Sequence, residues 1–428
     1  MRKYFTFLNF LFILCSAPAW AQGVSVENVL ATAFTDEKVK WENEMARFSN
    51  TLNYKLPAIK KIEFRLGFNG NNTPDTLDGS LRNEDYYSIN LTTNKWKEMK
   101  LQKAIKPVQT KLYTTEMEML FLKALQERYL LLVNLYYNSE SVKTRMELQG
   151  LLVKKNELLQ QILNEGGSVK ISDALEVDRD LIQLYSLLQQ EENDASTYQA
   201  QLRLFFNSSQ NYTVNFSDLI SIKKALYNAS TLKQDSIIVH PSLRYKEAQY
   251  QFAKSNFKLE NVQNTNVFNS FQLGYNRPVY TTDILKKFKP ENTLTFRVGI
   301  SVPLAGNNNL NRNNANLEQY DALLNWQTAQ VIQSKSISVQ ESRLENSIQQ
   351  YKAFEAIYTK SIVTRLLENE NVMAQSTALE IIDLKIARKK LEITLINSAN
   401  AVMQNYVLLL ESKGLMQFDS RHKYLLEH

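Results

Sequence analysis

From residue 307 to residue 413 the sequence contains neither glycine nor proline, and from 168 to 240 it again contains neither. Ordinary globular domains are punctuated far more often, because their helices run only three or four turns. Stretches of this kind demand very long helices. The first helical pattern runs from Lys95 to Leu163, with Pro107 marking a kink or a start-up turn. At about 1.5 Å per residue that segment is roughly 100 Å long. A second long helix is expected from Leu310 to about Glu370. There Ile337, Leu344, Tyr351 and Tyr358 recur every seven residues, with Ile348 and Ile362 beside them, as in a coiled-coil seam.

The chain is also written twice. Phe64-Arg65-Leu66-Gly67-Phe68-Asn69 is echoed by Phe271-Gln272-Leu273-Gly274-Tyr275-Asn276, and Ser172-Asp173-Ala174-Leu175-Glu176-Val177 by Ser376-Thr377-Ala378-Leu379-Glu380-Ile381. The halves are 22–209 and 210–428. Each reads helix, strand, turn, strand, long helix, turn, helix. The strands are expected at about 62–70 and 85–93, then 268–277 and 293–303. The helical hairpins are expected at about 95–206 and 310–413. In each strand apolar residues alternate with polar ones: Ile62, Phe64, Leu66 and Phe68 against Glu63, Arg65, Gly67 and Asn69, for example. That period of two gives one greasy and one wet face. Ten residues, tilted, are enough to cross a bilayer core. A soluble sheet packed on helices shows the same alternation.

Four strands cannot enclose a lumen, and open strand edges cannot face lipid. If they span a membrane, several copies must share one barrel. Two copies give eight strands, whose interior side chains fill; three give twelve and leave a passage.

Both helical hairpins close in short turns. Gly166 and Gly167 suit the left-handed cap of the first. In the second, spanning Asn369 to Gln375, Asn371 is the residue able to take that conformation. Ser172 and Ser376 are available to cap the helices that follow.

Residues 1–21 read as a secretory signal peptide. Arg2 and Lys3 precede an apolar run, and Ala19-Trp20-Ala21 forms an A-x-A cleavage signature. The sole cysteine, Cys15, follows Leu14, where lipid attachment wants a small residue. Removing Arg2 and Lys3 takes the formal charge from +6 to +4, and no stretch resembles a nucleic-acid arm. No later apolar run reaches 18 residues, so no helix is expected to span a bilayer. The three histidines, His240, His422 and His428, lack ligand spacing, so neither metal nor cofactor is expected. With no phosphate loop or nucleophile elbow, an enzyme is the weakest reading. The rival to a channel is a soluble periplasmic coiled-coil adaptor or scaffold.

Four pieces carry a family resemblance. Val298-Gly299-Ile300-Ser301-Val302-Pro303-Leu304 enters a long helix and resembles a strand-to-helix junction closed by Pro303 and Leu304. His240-Pro241-Ser242-Leu243 looks like the start of a helix leading to a barrel. Gly167 through Leu175 is similar to a hairpin-tip turn, and Val24 through Leu30 to a mature N-terminus. Their order resembles the TolC-like outer-membrane efflux family over essentially the whole mature chain. There are departures: Asn371 stands where glycine is usual, Thr377 where an acid is frequent, and Ala305-Gly306 lacks an aromatic partner. The resemblance implies an α+β membrane protein, a homotrimer with a twelve-stranded barrel continued by a periplasmic α-helical barrel. It implies a passive exit duct for efflux or type I secretion. The implied partners are outer-membrane lipid, a periplasmic adaptor and an inner-membrane pump of RND, ABC or MFS type. It also implies an entrance constricted at the hairpin tips, for which Asp173, Glu176, Glu380 and Asp383 are the candidates.

Overall fold

The structure is a computed structural model and describes residues 22–71, 82–232, 239–264, 268–280, 292–300, 307–417, 419 and 421–427. The expected signal peptide, the expected loops between paired strands and the expected junction with Pro303 and Leu304 lie outside these residues. The chain divides into two units: residues 1–41, 117–241 and 330–428 form one, and residues 42–116 and 242–329 the other.

In chain order the elements are β1 (Gln22–Ser25), α1 (Val26–Ala31), α2 (Glu37–Thr51), β2 (Ile59–Asn71), β3 (Arg82–Thr93), α3 (Trp96–Asn164) and α4 (Ile171–Phe206). Then follow β4 (Tyr212–Asn215), α5 (Ile222–Leu232), α6 (Pro241–Asn264), β5 (Phe268–Tyr280) and β6 (Thr293–Ile300). The chain continues with α7 (Asn307–Lys360), α8 (Ile362–Glu368), α9 (Glu370–Gln375), α10 (Ala378–Ser412) and α11 (Arg421–Tyr424). All four expected strands form, as does the 69-residue first helix. Pro107 lies well inside that helix and does not end it.

In the first unit the core joins α1, α3, α5 and α10 through residues such as Val29, Leu30, Leu125, Leu132, Leu232 and Leu410. Each such side chain contributes roughly 1.5–3 kcal/mol on burial. The expected seam holds in part: Ile337, Leu344 and Tyr351 of α7 are buried, Ile348 and Tyr358 are half-buried, and Ile362 is exposed. Arg128, 1% exposed, crosses this core. Its guanidinium donates to the Thr32 hydroxyl (2.7 Å), the Ala124 carbonyl (2.9 Å) and the Asp36 carboxylate (3.1 Å), and lies 4.2 Å over the Phe205 ring. A buried charge needs such partners. The C-terminal segment is tied down in the same core. Tyr129 donates to the Leu425 carbonyl (2.8 Å), Tyr406 to that of Tyr424 (3.0 Å), and Asn228 to that of Lys423 (3.0 Å). β1 pairs in parallel with β4.

The second unit holds an antiparallel sheet in the order β2-β3-β5-β6. Its helical segments follow the same order. Ser49 of α2 bonds Thr110 of α3 (3.2 Å). Glu98 of α3 accepts from Gln263 of α6 (2.8 Å). Tyr250 of α6 stacks on Trp326 of α7 with ring centroids 5.8 Å apart.

The second helical hairpin departs from expectation. α7 stops at Lys360 and does not run on to 370. Ser361 turns extended and accepts from the Thr364 N–H (3.0 Å), starting α8. The β-branched run Ile362-Val363-Thr364 weakens helix continuation, and the serine offers the backbone an alternative bond. Asn369 breaks the chain again by accepting from the N–H groups of Asn371 and Val372. Asn371 therefore sits inside α9 and is not left-handed. Among the described residues the left-handed non-glycine residue is Asn207, which ends α4.

Candidate membrane-spanning wall and helix tips

The register places apolar residues in three complete rungs across the sheet. They are Ile62-Leu91-Phe271-Val298, Phe64-Ile89-Leu273-Phe296 and Leu66-Tyr87-Tyr275-Leu294. All lie on one face, because side chains alternate along each strand. That face is bare: Phe64 is 74% and Phe296 67% exposed. No described residue covers it, and a contiguous apolar surface of this kind marks an interaction site.

The intervening rungs are polar: Glu63-Asn90-Gln272-Arg297 and Arg65-Ser88-Gly274-Thr295. Glu63 is held by Lys61, by Arg65 (3.0 Å) and by Asn90 (3.3 Å). Gly274 has a steric reason. A Cβ there would meet Thr295 Oγ1 at 2.6 Å and the Tyr86 ring at 3.2 Å. The missing side chain lets Tyr86 lie over the strand and accept a hydrogen bond from Gln272.

Among the described residues β2 and β6 are the sheet edges, with one backbone side unpaired in each. The helices that flank them carry apolar stripes. Trp41, Met45 and Phe48 recur at i, i+4 and i+7 on α2, and Leu310, Leu317 and Leu324 every seven residues on α7; all six are exposed. Neither stripe is among the sequence-based expectations, although the spacing of both is plain in the sequence.

At the first tip, α3 ends in a Schellman motif. The Gly167 N–H donates to the Ile162 carbonyl (2.8 Å), the Gly166 N–H to that of Leu163 (3.2 Å), and Gly166 has φ 81°. The caps of the following helices are Lys170 and Thr377, not Ser172 and Ser376. Lys170 has no side-chain cap bond. Thr377 forms a capping box: its hydroxyl accepts from the Glu380 N–H (3.3 Å), and the Glu380 carboxylate accepts from the Thr377 N–H (2.8 Å).

The cap positions shift the repeat register. α4 starts at Ile171 and α10 at Ala378, 207 residues apart, the spacing of Gly67 and Gly274. On that register Asp173 matches Glu380 as the third helical residue, and Glu176 matches Asp383 as the sixth. The repeats thus carry acids at equivalent positions, where the helix dipole favours negative charge. Their surroundings differ. Asp173 accepts from the Ser172 hydroxyl (3.0 Å), and Asp383 pairs with Lys155 (2.6 Å). The Thr377 backbone N–H, then its hydroxyl, holds the Glu380 carboxyl below the usual carboxylate range. Glu176 makes no hydrogen bond or ion pair among the described residues. Further along the hairpins, Lys389 bridges Glu147 and Glu392 (2.8 Å to the latter). The hydrogen bond from Lys389 is the main reason the Glu147 carboxyl lies low.

No family model matches the sequence, and no curated protein matches it significantly. Solved structures do match. CusC, a protein that forms a transmembrane channel, aligns with TM-score 0.58 and 14% identity over 91% of this chain and 92% of its own. The open-state MtrE outer membrane channel of Neisseria gonorrhoeae aligns at 0.59 and 12% over 91% and 89%. The Campylobacter jejuni CmeC outer membrane channel aligns at 0.54 and 14% over 94% and 84%. At such identities the likeness is one of fold, and the chain has the fold of TolC-like outer-membrane channels.

Proposed function

Taking that channel fold as premise, we propose that three copies of this chain close a twelve-stranded β-barrel in the outer membrane, continued by a helical periplasmic tunnel. The observation that carries the reading is the open sheet with three bare apolar rungs on one face. In lipid such a face is covered, but the edges at β2 and β6 are tolerable only if each pairs with another copy. β2 of one copy meeting β6 of the next is a head-to-tail contact, and such contacts close into a ring when the rotation between copies closes. The exposed stripes on α2 and α7 extend the same contact into the helices. The polar rungs then line a wet passage. No described helix is long and apolar enough to cross a membrane; in this reading the sheet, with its three apolar rungs, is the spanning element.

In this reading the chain is exported through a signal peptide cleaved after Ala21 and acts as a passive exit duct of a tripartite efflux or type I secretion assembly. A periplasmic adaptor docks to the tunnel, and an inner-membrane pump of RND, ABC or MFS type supplies the energy. The acids at the two tips narrow the entrance and favour cations. Of these, Glu176 has the most available charge, since Asp383, Glu380 and Asp173 have local partners. A soluble periplasmic scaffold would account for the helices and leave the three rungs in water. The test is reconstitution of the purified protein into planar bilayers. Discrete, long-lived conductance steps are expected; a protein that inserts no conducting unit would refute the duct.

A further inference from the structure

We infer that the start of α3 is a docking surface for the anionic headgroups of the membrane's phospholipids, an inference that rests on the sheet spanning the bilayer. Residues 95–115 contain six lysines and a single acid, Glu98. Two of the lysines serve helix ends. Lys95 donates to the carbonyls of Val262 and Gln263, and Lys106 to those of Asn50 and Leu52. Cations are favoured at such C-termini. Glu98 is engaged by Gln263. Lys97, Lys100 and Lys103 are exposed and make no hydrogen bond or ion pair among the described residues.

An exposed aromatic residue precedes these three. Trp96, the first residue of α3, is 79% exposed. Trp96, Lys100 and Lys103 recur at i, i+4 and i+7, on one helix face. The same point of the chain is fastened to the end of the apolar wall. Asn94 donates its N–H to the Ala58 carbonyl (2.9 Å) and its side-chain amide to that of Pro57 (2.7 Å), and Ile59 pairs with Thr93. Moving from the apolar rungs into the helix, the exposed surface passes from aliphatic and aromatic side chains to a rim of Lys60, Lys61 and the Trp96 indole, and then to the cationic turns of α3. That sequence of chemistries matches acyl chains, interface and phosphate layer in a lipid leaflet. The corresponding helix start in the second repeat reads Asn-Asn-Asn-Leu-Asn-Arg-Asn over 307–313, with one charge. The surface therefore belongs to the first repeat only and occurs once per copy.

The test uses the full mature protein in mixed vesicles of phosphatidylcholine and phosphatidylglycerol, with a spin-labelled version of each lipid. Spin resonance reads how much of each is motionally restricted by protein. Restriction of phosphatidylglycerol is expected to exceed that of phosphatidylcholine about fivefold, the factor that a single lysine at ~1 kcal/mol gives the lipid beside it. The preference should vanish in Lys97→Gln/Lys100→Gln/Lys103→Gln and persist in Lys123→Gln/Lys154→Gln/Lys170→Gln, which removes equal charge elsewhere. Equal restriction of both lipids, or a preference that survives the first triple variant, would overturn the inference and leave the channel reading intact. A protein that does not enter the vesicles would overturn both.

Discussion

Replacing Leu273 by arginine puts a charge at the centre of the bare apolar face, in the rung shared with Phe64, Ile89 and Phe296. If that face meets lipid, the charge sits near the bilayer midplane, where an arginine on a barrel's outer wall costs about 2–4 kcal/mol. A closed trimer carries the change three times, so the assembly loses roughly 6–12 kcal/mol, enough to undo most folded proteins. Gln272→Arg, one residue away, adds the same charge on the polar face, where lumen substitutions alter selectivity more than stability. The assay is urea unfolding of the protein in phospholipid vesicles, followed by tryptophan fluorescence. Leu273→Arg should lose most of its stability and Gln272→Arg little. In water, a half-exposed leucine changed to arginine costs within about 0.5 kcal/mol. Equal midpoints for the two variants would therefore refute lipid contact.

Three further outcomes follow from the same geometry. Gly274→Val drives a side chain into Thr295 and the Tyr86 ring; it should cost about 1–3 kcal/mol in the same assay, and Tyr86→Ala in the same chain should restore part of the loss. Thr377→Ala removes the capping box and should cost about 1 kcal/mol, seen as faster amide exchange in the first turn of α10. Because the Glu380 carboxyl is held low in the fold, its contribution is present above the ordinary carboxylate range. It is lost as the pH falls below 4.5 and through the depressed value, so the difference between wild type and Thr377→Ala should shrink in acid. Glu176→Gln should lower the cation preference of single channels in planar bilayers, and Glu380→Gln should lower it less; the reverse order would assign the entrance charge to the second tip.

The strands were legible because alternation survives in sequence: the phase read from Phe64 and Leu273 is the phase of the rungs. The first tip was legible because only glycine takes the φ of Gly166 without cost. The second tip was not. Its breaks are made by Ser361 and Asn369 side chains bonding nearby N–H groups, and those residues occur as often inside polar helix faces. The repeat register was misread by three residues because the SDALEV and STALEI strings match better than the caps do. Lys170 is a cap without a capping side chain, so nothing in its chemistry announced it. The pairing of β1 with β4 and the fastening of Leu425 by Tyr129 join segments too short and too distant in sequence to show a period.

The mass of the protein extracted from outer membranes, read by native mass spectrometry as detergent is stripped away, tests most directly whether the sheet edges close on sister copies. A particle of three chains is the result this account predicts. A stable single chain, with β2 and β6 left open, would contradict it.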